Sequence, residues 1–123
     1  MWRLAHLTGR VAAWALAVVV ALLSVVPPDS RPVTDVPHDF EHFGIFFATG
    51  FAFGVGYTRR PAMVALTLIL FAGMVEIAQV FVPARHARFS DFIVDALAAC
   101  AGALLSAALS RSVSQTLPKP TAD

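Results

Sequence analysis

The stretch from Ala62 to Val82 constrains this chain more than any other. Prolines bound it at 61 and 83, and Glu76 is its one ionisable residue. As a helix rising 1.5 Å per residue it measures about 31 Å, the thickness of one bilayer hydrocarbon core. Composition extends the same reading to the whole chain. Of 123 residues, 58% are hydrophobic and 14% charged, against about 25% charged in ordinary soluble domains. Mean hydropathy is +0.73. The expected fold is all-α: one integral membrane domain over residues 1–110, a bundle of four transmembrane helices.

The helices follow from the punctuation. Residues 1–10 form a short basic lead with Arg3 and Arg10, and Val11 to Val26 is continuously apolar. A basic start followed by an apolar run also describes a signal peptide, but no small-x-small cleavage site precedes Pro27-Pro28. The run is therefore read as an uncleaved first helix, about 5–26, ended by the double proline. A polar connector follows to residue 41, and its prolines exclude a helix until Pro37. Asp39 suits an N-cap, with Glu41 in the first turn of a second helix, about 40–57. Within it Gly50 and Gly54 make a small-xxx-small step, which lets helix backbones approach closely in lipid. Arg59-Arg60-Pro61 is a tight basic turn into the third helix, about 62–82. Ser90 suits the N-cap of a fourth, about 91–110, where Ala98 and Gly102 repeat the small-xxx-small step. Those two steps serve either internal packing or a homo-oligomer. Residues 111–123 read as a disordered cytoplasmic tail.

Four spans put both termini on one side. Arg3, Arg10, Arg59, Arg60, Arg111 and Lys119 share that side, against Arg31, Arg85 and Arg88 on the other. The excess of basic residues favours termini in the cytoplasm. The loop around residues 83–90 then faces outward.

That loop joins the two helices that carry buried charge. Glu76 lies about 10 Å inside its helix end, and Gln79, three residues on, shares its face. Asp91 and Asp95 share a face of the fourth helix. A carboxylate at a bilayer centre costs roughly 2.5–3.5 kcal/mol on insertion scales, so such groups turn inward and need partners. Arg85, His86 and Arg88 are the nearest cationic or titratable groups, and His42 is at the same end. The expected site is one outward polar pocket lined by His42, Glu76, Gln79, Arg85, Arg88, Asp91 and Asp95. The competing reading makes the same residues interhelical hydrogen bonds and lipid anchors. His38 and His42 have the i,i+4 spacing of a zinc pair, but Pro37 beside them favours an interfacial helix start, and no metal is expected. There is no Ser/His/Asp set, Gly-rich phosphate loop or cysteine pair, so no cofactor is expected. The net charge of +1, without basic runs carrying interleaved aromatics, gives no case for nucleic acid.

In order and spacing, residues 37–108 resemble the VanZ-like family of small bacterial membrane proteins. The resemblance rests on His42-Phe43, then Glu76 and Gln79, then Pro83-Ala84-Arg85, then Ser90-Asp91 and Asp95. The most specific part is V-P-A-R-H-A-R-F-S-D. Ala84 stands where the family usually has Gly, Asp95 where it often has Asn, and His38-Asp39 where Asp-Lys is common. The resemblance implies the bacterial inner membrane, the helical architecture and the outward motif. The family is named for a protein associated with low-level teicoplanin resistance, and its biochemical activity is not established. The favoured function is a binding module for an anionic lipid headgroup or a lipid-linked envelope precursor, with Arg85 and Arg88 on phosphate. Two other classes fit the same residues: an enzyme on a lipid-linked substrate, with His42 or Glu76 as acid/base, and a structural or assembly subunit.

Overall fold

Small residues recur down one stripe of the first and last apolar segments, and those stripes are what these two helices turn into the bundle. A computed structural model describes residues 2–30, 38–83 and 87–116. Among these the secondary structure is all helical: α1 (Trp2–Val25), α2 (His38–Gly56), α3 (Pro61–Val80) and α4 (Phe89–Thr116), with a short 3-10 turn at Pro28–Ser30. The buried stripe of α1 is Gly9, Ala13, Ala17, Val20 and Ser24, and that of α4 is Asp95, Ala98, Ala99, Gly102 and Ser106. Both recur at helical spacing, so each helix buries one narrow face. The large side chains point the other way: Leu66, Leu70, Met74 and Ile77 on α3 and Leu97 and Leu104 on α4 are exposed. Small residues inside and large apolar ones outside is the arrangement a lipid solvent favours.

The helices close a ring in the order α1, α2, α4, α3. The α2–α4 seam is the most extensive and the α1–α3 seam the thinnest. Glycine explains the first. A Cβ on Gly50 would meet the carbonyl oxygen of Ala99, and one on Gly102 would meet that of Phe47. Both small-xxx-small steps therefore pack inside the chain. Phe46, buried at the centre, meets Phe71 of α3 at 6.1 Å between ring centroids.

Among the described residues three helices, α1, α3 and α4, are long and apolar enough to cross a membrane. α2 is not among them, because its first turns carry Asp39, Glu41 and His42. It is also the helix most enclosed by the others, with Phe46, Thr49, Gly50, Ala52, Phe53, Gly54 and Gly56 buried.

Several boundaries differ from the sequence reading. α1 starts at Trp2 rather than near residue 5, because nothing in the basic lead breaks a helix. α2 starts at His38, which puts Asp39 inside the helix rather than at its cap. α4 starts at Phe89, and the amides of Asp91 and Phe92 donate to the carbonyl of Arg88 (2.9 and 3.3 Å), so Ser90 is not the cap. Residues 111–116, expected to be disordered, continue α4. Proline is absent until Pro118, and the hydroxyls of Ser110, Ser112 and Ser114 donate to carbonyls one turn back (2.9–3.1 Å), so these serines stay in the helix. The expected tail beyond Thr116 lies outside the described residues.

Candidate functional site

α3 packs through Val64, Leu68, Ala72 and Val75, and Glu76 and Gln79 extend that same buried stripe. Helical periodicity therefore aims both polar side chains into the bundle, where they are 7% and 5% exposed. On α4 the stripe that holds Ala98, Ala99 and Gly102 begins one turn earlier, at Asp95, which is fully buried. The α2–α4 seam brings His42 opposite it. His42 Nδ1 donates to Asp95 Oδ2 at 3.3 Å, with side-chain exposures of 15% and 1%. The ring of His42 also stacks on Phe46, 6.2 Å between centroids.

These side chains meet where α2 begins, α3 ends and α4 begins. Asp91, Asp95 and His42 lie within electrostatic reach of Glu76. The backbone N–H of Arg88 approaches Glu76 without reaching hydrogen-bond geometry. Asp91 is half-buried and accepts a hydrogen bond from Ser90 Oγ at 3.1 Å. Four buried polar atoms have no hydrogen-bond partner among the described residues: Glu76 Oε1 and Oε2, Gln79 Nε2 and Asp95 Oδ1. A buried polar atom without a partner costs about 1–3 kcal/mol. Four of them at one end of a small bundle mark a place that the described residues do not complete by themselves.

The structure thus brings together His42, Glu76, Asp91 and Asp95 of the expected pocket, with Gln79 one turn from Glu76. It does not bring in the side chain of Arg88, which is exposed and makes no ion pair among the described residues. Arg85 lies outside the described residues. The described interior is accordingly acidic: three carboxylates, one imidazole and one amide. Among the described residues no group of three His, Cys, Asp or Glu is close enough to hold a metal ion. Sequence reasoning missed Phe46, the ring against which His42 is held. Its signal was the i,i+4 spacing of His42 and Phe46 on one helix.

As carboxylates the acids only accept hydrogen bonds, while the Gln79 amide donates. Among the described residues the open valences are therefore three acceptors and one donor. A complementary group carries several N–H or O–H donors and at least one acceptor, as an amine or a polyol does. No protein-family model matches the chain, and neither a curated protein nor a solved structure does.

Proposed function

We propose that this chain is a VanZ-like protein of the bacterial inner membrane that binds the polar part of an envelope lipid or lipid-linked precursor. The observation that carries the reading is the set of buried atoms on Glu76, Gln79 and Asp95 that have no partner among the described residues. Intramembrane ionisable groups serve function by default. The anionic phosphate of such a headgroup would sit at the rim, against Arg88 and the neighbouring Arg85. Its hydroxyl or amine donors would reach the carboxylates behind. This division of labour suits an acidic interior better than a bare anion does, since phosphate beside three carboxylates would be repelled. The basic residues of the expected cytoplasmic side support an outward site with both termini inside. The VanZ-like reading rests on the motif residues alone and implies no resistance activity.

The test is native mass spectrometry of the purified protein carrying its own membrane lipids. Wild type is compared with Arg85→Ala and Glu76→Gln, each checked for folding by circular dichroism. A co-purified lipid that both folded variants lose supports the headgroup site. Lipid content unchanged in both variants overturns it and leaves the structural or assembly reading.

The His42–Asp95 pair favours a second reading. A buried carboxylate on Nδ1 fixes an imidazole's tautomer and orientation, as a general base requires. The chain would then transform the lipid-linked group rather than hold it. Turnover of an isolated envelope-lipid pool that persists in His42→Gln would remove this reading.

A further inference from the structure

We infer that the opposite end of the bundle holds a second site, for an anionic phospholipid whose phosphate enters an arginine cleft and whose acyl chain runs into the α1–α3 seam. Arg3, Arg10, Arg59 and Arg60 line a cleft of about 570 Å³ with no acidic residue in its wall. Basic residues flanking a membrane helix need no ligand to explain them. Here, however, the fold shapes them into a receptor. Arg10 Nε donates to the carbonyl of Gly56 (3.0 Å), and its guanidinium lies over the Tyr57 ring, 5.0 Å from the centroid. Its two Nη nitrogens have no partner among the described residues. A guanidinium held by Nε and a ring face presents those nitrogens at little further entropic cost, which suits a phosphate. His6 is fixed beside it, its Nδ1 donating to the carbonyl of Val55 at 2.8 Å. The N-terminus of α3 adds its positive dipole end, for Arg60 supplies no side-chain cap and Pro61 follows.

The second cavity decides between a lipid and a soluble phosphate. Tyr57 and Arg60 also line an apolar groove of about 150 Å³, walled by Trp14 of α1, Phe53 of α2 and Met63, Val64 and Thr67 of α3. It lies along the thinnest seam of the ring. Trp14 Nε1 donates to the Tyr57 hydroxyl (3.0 Å) and its ring meets Phe53 edge-on (5.4 Å), which fixes one wall. Arg60 reaches the groove at Met63, with Nη1 3.8 Å from Sδ. An arginine cleft and an apolar groove that share Tyr57 and Arg60 in their walls are together complementary to a phosphodiester carrying a hydrocarbon chain. It offers a soluble phosphate nothing for the second half.

The experiment titrates dimyristoyl phosphatidylglycerol and dimyristoyl phosphatidylcholine into the purified full chain in detergent and counts adducts by native mass spectrometry. Glycerol 3-phosphate serves as the soluble probe. The expected result is preference for phosphatidylglycerol, weakened about tenfold in the Arg59→Gln/Arg60→Gln double variant, whose side chains are exposed and hold no helix in place. Arg10→Gln is the stronger lesion, read only if its thermal unfolding matches wild type. Thr67→Phe, which fills the groove, weakens phosphatidylglycerol and leaves glycerol 3-phosphate unchanged. Equal binding of the two lipids, or no effect of the double variant, overturns the proposal. So does glycerol 3-phosphate binding as tightly as phosphatidylglycerol with Thr67→Phe inert, which would make the cleft a site for soluble phosphates.

Discussion

Glu76 is the residue whose chemistry is least explained by packing. Neither of its oxygens has a partner among the described residues, and Asp91 and Asp95 are its charged neighbours. Like charges in one low-dielectric site oppose each other. Glu76→Gln removes that repulsion at constant shape and brings a donor. It should therefore stabilise the fold in detergent by an amount on the order of 1 kcal/mol, seen as a higher thermal unfolding midpoint, while co-purified lipid falls. A purely structural Glu76 predicts the reverse, a lower midpoint and no change in lipid. Asp95 is tested differently, because His42 is its one partner among the described residues. His42→Ala should destabilise by about 1–3 kcal/mol by stranding a buried carboxylate. Asp95→Asn in the same chain should restore most of the loss, since the group left behind is then neutral. Additive losses in that double-mutant cycle would mean that the two side chains are energetically independent. Glu76, Gln79 and Asp95 were legible in the sequence because a polar residue in an apolar run has to turn inward. Arg88 was not. Its position next to the acids suggested a partner, but the direction a side chain takes before the first turn of a helix is set by backbone geometry, and here it points to the surface.

At the scale of the helix, close approach separates one glycine from another. Gly50 and Gly44 lie on the same helix and differ in what a methyl group would meet. At Gly50 it would strike the Ala99 carbonyl, and at Gly44 it would meet nothing within 4 Å. Gly50→Ala should cost about 1–3 kcal/mol by forcing α2 and α4 apart. Gly44→Ala should be neutral or stabilise by about 0.5–1 kcal/mol, since alanine is the better helix former. Thermal melts of the two variants decide it, and equal effects would mean that the α2–α4 seam is looser than described. The prolines made the elements readable: Pro27 ends α1, and Pro61 sits in the first turn of α3, where its missing N–H costs nothing. The largest shift was at the end of α4, where residues 111–116 hold no proline. α4 ran on through Ser112 and Ser114 because serine back-bonds to a carbonyl one turn earlier as readily as it caps.

The whole molecule turns on how α2 is held. A helix beginning with Asp39, Glu41 and His42 would cross a membrane poorly alone, yet it is the one the others enclose. Its polar start coincides with the acidic site, and its buried faces are covered by α1 and α4. Three apolar helices therefore supply the lipid-facing surface while α2 supplies the interior. That arrangement makes a definite topology prediction. If α2 crosses, the α2–α3 turn and the end of α4 share one face of the membrane, and the connector after α1 and the loop before α4 share the other. Single cysteines placed at Thr58 and Gln115, in a Cys100→Ala background, should label from the cytoplasmic side with a membrane-impermeant maleimide. Cysteines at Asp29 and Ala87 should label from outside. All four positions are exposed, so reactivity reports side rather than burial. Labelling of Thr58 from the same side as Asp29 would show that α2 does not span. It would also carry α3 and α4 to the opposite orientation relative to α1, and the arginine cleft and the acidic site could no longer lie on opposite faces of the membrane.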